Sequence, residues 1–227
     1  MNKTTIIAAM TMAGAIAATS SCSNDPYETG DGALSYLHAD YADITVSNAT
    51  VADILTDDDV HLVQAKPLAV SSELPPDTML RRLVHYSRTD ASSAIEILQL
   101  TPVAIVMPRD PADVTVTQRD PLKLTAAWLS RNRRYLNLQL GIMVGNSAGE
   151  EALQQLQFAC DSIHTEDKGA IFLSLRHDQA GMPEYYTEDV HVSLPIGRLV
   201  PQQTVEADTI SLTIDTYAGR LTKLFIK

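Results

Sequence analysis

Two short segments in the second half of the chain have side chains that could bind a metal ion or take part in catalysis. His177 and Asp178 are adjacent in RHD, and Asp189 and His191 are two residues apart in EDVHVSL. Residues two apart on a strand share one face, so Asp189 and His191 could present a carboxylate and an imidazole to one metal ion. The four residues define one alternative, a metal- or ligand-dependent enzyme. We favour the other interpretation, in which His191 is a solvated residue on the outer face of a strand.

A thiol nucleophile is the second chemistry to consider. Cys160, in LQQLQFACDSI, would need a neighbouring base and an orienting carboxylate, for which His177 and Asp178 are the candidates. Its neighbours are apolar, and the sequence contains no G-x-S-x-G, H-E-x-x-H, C-x-x-C or phosphate-loop motif. We therefore expect a buried, inert Cys160 and a protein that is not an enzyme, with no catalytic residue, bound metal or cofactor.

Aromatic and charged segments offer further binding chemistry. Trp128 and the pair Tyr185-Tyr186 could stack on a sugar or a peptide, although we favour core or edge packing. The acidic run from Asp57 to Asp59 lacks the spacing of a calcium loop and indicates a polar turn. The basic run from Arg131 to Arg134 indicates a solvated loop or strand edge.

Charge and the N-terminus limit the location and the partners of the protein. The 227-residue chain has a net charge of −11, which disfavours nucleic acid because phosphate backbones bind clustered Lys and Arg. Lys3, the apolar run 6–18 and the small residues before Cys22 predict a secretory signal, residues 1–21. A cysteine directly at the cut predicts lipid attachment at Cys22. Ser23 is compatible with the outer membrane of the cell envelope. An ordinary secreted protein with a free or paired Cys22 is the alternative.

The elements that would position these residues are strands. After a flexible tether at 22–33, short apolar bursts at period two predict a five-stranded OB-type barrel over 34–112; half of a sandwich is the alternative. A proline-rich segment places the domain boundary near 110–118. Residues 118–227 predict a β-sandwich of roughly seven strands. Within it, GEEALQQLQFA could be a helix, but the alternation of apolar residues favours a strand.

Several of these motifs resemble one known family. DPLKLTAAWLSRNRRYLNLQLGIMV, LSLRHDQAGM, VHVSLPI and the terminal TYAGRLTKLFIK are similar to segments of the NigD-like lipoproteins of Gram-negative bacteria. The resemblance covers essentially the whole mature chain. It implies an N-terminal OB-type domain, a C-terminal β-sandwich domain and a lipid anchor, with no established biochemical activity. The family's name comes from a bacteriocin-associated operon, so the resemblance also implies an immunity-type role as an alternative.

Together these observations predict an all-β, non-enzymatic protein that is anchored by lipid to the cell envelope. We expect it to bind another protein or an envelope component such as a glycan, and not nucleic acid.

Overall fold

Alternation of apolar and polar residues produces strands throughout the described part of the chain. The computed structural model describes residues 37–70, 77–88, 94–145, 154–164, 169–201 and 207–226. The predicted signal peptide, the tether and Cys22 lie outside these residues. No helix among the described residues has the length and apolarity that crossing a bilayer requires.

The first domain is a nearly closed barrel of five strands, as the OB-type prediction requires. Its sheet has the order β2-β1-β4-β5-β3, and its neighbouring strands are antiparallel except for the parallel pair β3 and β5. The chain after β2 returns to that strand, where Leu62 N donates to Ile54 O at 2.9 Å and Val51 N donates to Leu68 O at 3.0 Å. The strands are β1 (Leu37–Ser47), β2 (Thr50–Thr56), β3 (Val63–Gln64), β4 (Thr78–Arg88) and β5 (Ala94–Pro102).

The barrel core follows from the period of two along each strand. On β1, Ala42, Ile44 and Val46 point inward and are at most 1% exposed. The turn from β1 to β2 has two residues with positive φ, Asn48 at 50° and Ala49 at 55°. Positive φ at both central residues is the type I′ geometry that matches the twist of a two-residue hairpin.

The second domain is a β-sandwich of two four-stranded sheets, with orders β6-β11-β8-β7 and β13-β12-β10-β9. Apolar residues from the facing sides of both sheets form one continuous buried core, including Leu138, Leu173, Leu194 and Leu212. The strands are β6 (Ala104–Ile105), β7 (Lys123–Leu129), β8 (Tyr135–Val144), β9 (Gln155–His164), β10 (Ala170–Asp178), β11 (Tyr186–Pro195), β12 (Thr209–Thr216) and β13 (Gly219–Ile226).

The sandwich has eight described strands rather than about seven, because the short strand β6 pairs in parallel with β11. The last strand of the barrel therefore ends at Pro102, and the first strand of the sandwich begins at Ala104, upstream of the proline-rich segment. The segment for which a helix was the alternative is strand β9 from residue 155 onward, and residues 149–153 lie outside the described residues.

Candidate functional site

The two domains meet through the outer faces of two sheets. On β1 the residues that alternate with the barrel core, Tyr41 and Asp43, point away from that core, and Arg81 on β4 is paired in register with Asp43. On the sandwich, Asn137 of β8 and Ser193 of β11 are paired on the face opposite to the sandwich core. Contacts between these two faces fix the arrangement of the domains.

Arg81 joins the two faces. Its side chain is 0% exposed. Nη1 donates to Asp43 at 3.2 Å, and Nη2 donates to both oxygens of Asp57 at 2.7 Å. Toward the sandwich, Nη2 donates to Asn137 Oδ1 and Nε donates to Ser193 Oγ, both at 3.3 Å. We call these five residues the interdomain polar cluster.

The sandwich members of this cluster also bond to each other and to the barrel. Ser193 Oγ donates to Asn137 Oδ1 at 2.7 Å, and Asn137 Nδ2 donates to Asp57 Oδ2 at 2.8 Å. A buried ion pair offsets its desolvation only when the remaining polar atoms are also paired. These bonds from the sandwich provide that pairing, so the full hydrogen-bond set of Arg81 exists only when the domains are docked.

An aromatic ring and a second arginine complete the surroundings of Arg81. The guanidinium carbon lies 4.0 Å from the ring centroid of Tyr135, which is cation–π geometry. The Tyr135 hydroxyl donates to Asp43 at 3.1 Å, and Arg134 Nη1 lies 3.1 Å from the other oxygen of that carboxylate. Burial and the charge of Asp43 raise the pKa of Tyr135, so its hydroxyl remains a donor.

Asp57 has opposing influences on its ionisation. Burial raises the pKa of the Asp57 carboxyl, and the charge and hydrogen bonds of Arg81, together with the hydrogen bond from Asn137, act in the other direction. The net shift of the pKa is upward. Desolvation is therefore the dominant influence on this carboxylate.

Two charged turns form a second contact between the domains. The turn after β2 is acidic, from Asp57 to Asp59, and the turn between β7 and β8 is basic, from Arg131 to Arg134. Asn132 N donates to the Asp57 carbonyl at 2.9 Å, and Asn132 Nδ2 donates to Asp59 Oδ1 at 3.1 Å. The segments predicted as a polar turn at 57–59 and as a solvated loop or strand edge at 131–134 therefore pack against each other.

A cleft with a volume of about 730 Å³ opens beside the polar cluster. Pockets for small molecules usually measure roughly 300–1,000 Å³ and lie preferentially between domains. Both domains line this cleft, the barrel with Asp40, Tyr41 and His85 and the sandwich with Trp128, Gln139 and His191.

In the cleft, Tyr41 contacts two other aromatic side chains, Trp128 and His191. The Tyr41 ring meets Trp128 edge to face at a centroid distance of 5.2 Å, and its hydroxyl lies 2.6 Å from Nδ1 of His191. Burial lowers the pKa of His191, which favours the neutral imidazole. We assign the phenol of Tyr41 as the donor to Nδ1, which leaves the ring proton on Nε2 as a second donor.

Other polar side chains in the cleft have no hydrogen-bond partner within the described residues. These are the amide of Gln139 and the imidazole of His85, while Asp40 accepts from the Tyr86 hydroxyl through Oδ2 at 2.6 Å. Within the described parts of the chain, no group of three or more His, Cys, Asp or Glu side chains is arranged to hold a metal ion. The cleft thus combines an aromatic surface with donors and acceptors that are available to a ligand.

The sequence of the second domain matches a family model. Residues 105–227 match the NigD-like C-terminal beta sandwich domain. The chain belongs to the NigD-like family. The resemblance seen in the sequence motifs is therefore confirmed, and no curated protein matches the chain.

Solved structures share the fold of this NigD-like chain. A NigD-like immunity protein from Bacteroides caccae is 17% identical, with a TM-score of 0.60 and coverage of 83% of this chain and 96% of that chain. A candidate toxin-related protein from Parabacteroides distasonis is 15% identical, with a TM-score of 0.59 and coverage of 84% and 93%. A candidate lipoprotein from Bacteroides fragilis is 15% identical, with a TM-score of 0.55 and coverage of 83% and 96%. At these identities the likeness concerns the fold.

The NigD-like fold separates the four residues of the metal or enzyme alternative. His177 lies on β10, in the sheet opposite to that of Asp189 and His191. It is 2% exposed, with Nδ1 3.1 Å from the Asp120 carbonyl and Nε2 3.0 Å from Gln154 Oε1. Asp178 accepts from the backbone of its own turn. His191 does lie on the outer face of β11, and it is half-buried there because Tyr41 of the barrel packs against it.

The remaining residues singled out in the sequence are dispersed. Cys160 is a free thiol, 6% exposed, and burial raises its pKa, in agreement with a buried residue. Trp128 lines the cleft, whereas Tyr185 and Tyr186 are 74% and 54% exposed at the far end of β11. These aromatic residues therefore do not form one platform.

Arg81, His85 and Gln139 could not be recognised as site residues from the sequence. Each lies in an alternating strand segment where its residue type is ordinary for a solvated outer face. The signal that was available is the opposite charge of the turns at 57–59 and 131–134, which suits two surfaces that contact each other.

Proposed function

We propose that this NigD-like chain is a lipid-anchored, non-enzymatic protein of the cell envelope that binds its ligand in the interdomain cleft. The observation behind the proposal is the combination of Trp128 with polar groups of Gln139 and His85 that lack a described protein partner. Aromatic walls with a few convergent polar groups are characteristic of binding pockets. The dispersed positions of His177 and His191 give no comparable support to an enzyme.

The polar cluster supports this proposal because it sets the width of the cleft before a ligand arrives. Arg81 is bonded to carboxylates of the barrel and to Asn137 and Ser193 of the sandwich, and its side chain is fully buried. A pre-organised site loses less conformational freedom on binding, which strengthens affinity. The cleft would therefore act as a rigid receptor.

The anchor belongs to the same proposal. Cys22 is the residue that would carry the lipid, and Ser23 is compatible with placement in the outer membrane. Each buried methylene contributes about 0.8 kcal/mol, so two or three acyl chains would hold the protein at the membrane. The candidate lipoprotein from Bacteroides fragilis with the same fold supports a lipid anchor. The ligand would then be a protein or glycan of the envelope, and the net charge of −11 disfavours nucleic acid.

A bacteriocin immunity role is the second candidate. It is favoured by the related structure from Bacteroides caccae, which is described as a NigD-like immunity protein. In that case the cleft or a neighbouring surface would bind a toxin. Deleting the gene and exposing the cells to the bacteriocins of neighbouring strains tests this role, and unchanged killing would count against it.

Site-specific photo-crosslinking in living cells tests the main proposal. p-Benzoylphenylalanine replaces Ala126, which lines the cleft, or Leu224, which is 65% exposed on β13 and serves as the control. We expect a light-dependent adduct, seen as a discrete mass increase, from position 126 and not from position 224. The absence of an adduct at 126, or the same adducts at both positions, would contradict binding in the cleft.

A further inference from the structure

We propose that the ligand of the interdomain cleft is a short neutral glycan, one sugar ring of which packs on Trp128. The inference rests on the proposed function, because it names the ligand class of the same cleft. It follows from the kinds of polar atoms available, from the charge of the walls and from the strands that form them.

The available polar atoms suit hydroxyl groups. The Gln139 amide offers two donors and an acceptor, and neither it nor the His85 imidazole has a described hydrogen-bond partner. Nε2 of His191 adds a donor, and Oδ1 of Asp40 adds an acceptor, since Tyr86 occupies the other oxygen. A sugar hydroxyl both donates and accepts, so one polyhydroxylated ring can bond to all of these groups.

The aromatic wall supplies the second part of sugar recognition. Trp128 lines the cleft and is only partly buried, and its indole makes a T-shaped contact with Tyr41 at a centroid distance of 5.2 Å. The apolar C–H face of a sugar packs against an aromatic face, while its hydroxyls extend sideways. A ring on Trp128 would therefore direct its hydroxyls toward polar side chains of the same cleft.

The charge of the walls favours a neutral glycan over an acidic one. Among the described residues that line the cleft, Arg131 is the only arginine or lysine, and it is paired with Asp58 at 3.3 Å. The positive charge of Arg81 is already bonded to Asp43 and Asp57. With Asp40 also present, a uronic acid or a sulfated sugar would meet carboxylates without an available cation.

Four of the five strands that line the cleft disfavour an extended peptide. Peptides that bind by strand addition need the unpaired backbone groups of a sheet edge. The cleft is lined from β1, β4, β8 and β11, each of which has a neighbour on both sides, and from β7, which is the edge strand of its sheet. On β1, β4, β8 and β11, recognition must therefore use side chains, as in sugar binding.

Binding measurements on the full chain in detergent micelles test the inference. The probes are maltohexaose, cellohexaose, xylohexaose, mannohexaose and chitohexaose, with hexagalacturonate and spermidine as charged comparisons. We expect at least one neutral hexasaccharide to bind in isothermal titration calorimetry and to change the fluorescence of Trp128, the only tryptophan of the chain.

Variants locate the binding. Trp128→Ala should weaken the affinity by about tenfold or more, since an aromatic stacking partner is lost. Gln139→Leu should weaken it while keeping the shape of the wall. Tyr185→Ala removes an aromatic ring that is 74% exposed outside the cleft and should leave affinity unchanged. If circular dichroism shows that Trp128→Ala unfolds at a lower temperature than wild type, Trp128→Phe and Gln139→Leu are used in its place.

Three results would overturn the inference: no binding of any neutral hexasaccharide at millimolar concentration, tighter binding of a charged probe, or equal affinity for wild type and Gln139→Leu. The photo-crosslinking at Ala126 separates this failure from failure of the proposed function. An adduct at position 126 without glycan binding would leave a cleft-binding protein with another class of ligand.

Discussion

Replacing Arg81 with Met would leave the carboxylates of Asp43 and Asp57 without the guanidinium that they share. Met keeps much of the apolar stem of Arg, so the change removes charge and donors more than volume. The side chains of Arg81, Asp43 and Asp57 are 0%, 6% and 13% exposed, so water compensates little for the loss.

The contacts that remain set the size of the effect. Removing one partner of a buried ion pair destabilises by roughly 3–5 kcal/mol, because an uncompensated charge stays buried. Asp43 keeps Arg134 at 3.1 Å, and Asp57 keeps the Asn137 amide at 2.8 Å, which places the expected loss near the lower limit. About 3 kcal/mol corresponds to a decrease in Tm of about 6–12 °C for a chain of this size.

Urea unfolding followed by the fluorescence of Trp128 measures the effect, because this residue lines the cleft beside the polar cluster. Arg131→Met is the matched control, since Arg131 pairs with Asp58 at 3.3 Å through side chains that are 80% and 50% exposed. Such a surface pair contributes about 0–1 kcal/mol. If Arg81→Met lowers the unfolding free energy no more than Arg131→Met does, the polar cluster does not hold the domains together.

Three further predictions concern single side chains. Cys22→Ala should be released from the membrane fraction and keep its uncut signal, as cell fractionation and intact-mass measurement will show; normal cleavage with unchanged membrane association would contradict lipid attachment. Because burial raises the pKa of Asp57, its contribution to stability is fully present below its ordinary value of 3.8 and is lost as the pH rises through the folded-state pKa. The unfolding free energy of wild type minus that of Asp57→Asn should therefore be largest in acid and should decrease toward neutral pH. A difference that does not change with pH would refute this reasoning. In the Cys22→Ala background, Cys160 should not react with a thiol reagent in the native state and should react fully in urea, because the thiol is buried and its pKa is raised; rapid native labelling would show that it is accessible.

The all-β fold class could be predicted because strands have a characteristic local sequence pattern. Period-two alternation, as in DITVSNATV and RYLNLQLGIMV, identifies which residues face a core before any partner strand is known. The short strand β6 has no such pattern, since two residues cannot display a period. Its pairing with β11 depends on the packing of the sandwich.

Most of the candidate site could not be predicted from the sequence. Trp128 and His191 were noticed as residue types, but they are 63 positions apart. Tyr41 meets both of them from the other domain. Which outer faces would become an interface depends on how the two sheets dock, and the only local signal for that is the opposite charge of the turns at 57–59 and 131–134.

The sequence by itself determined the strand content, the order of the two domains, the family and the apolar setting of Cys160, because each depends on neighbours along the chain. Only the tertiary structure decided that Arg81 is a buried junction, that the turns at 57–59 and 131–134 meet, and that Tyr41, Trp128 and His191 share a cleft. Those contacts join residues of different domains. Their energies arise from desolvation and hydrogen bonding across the interface, and these exist only once the domains are packed together.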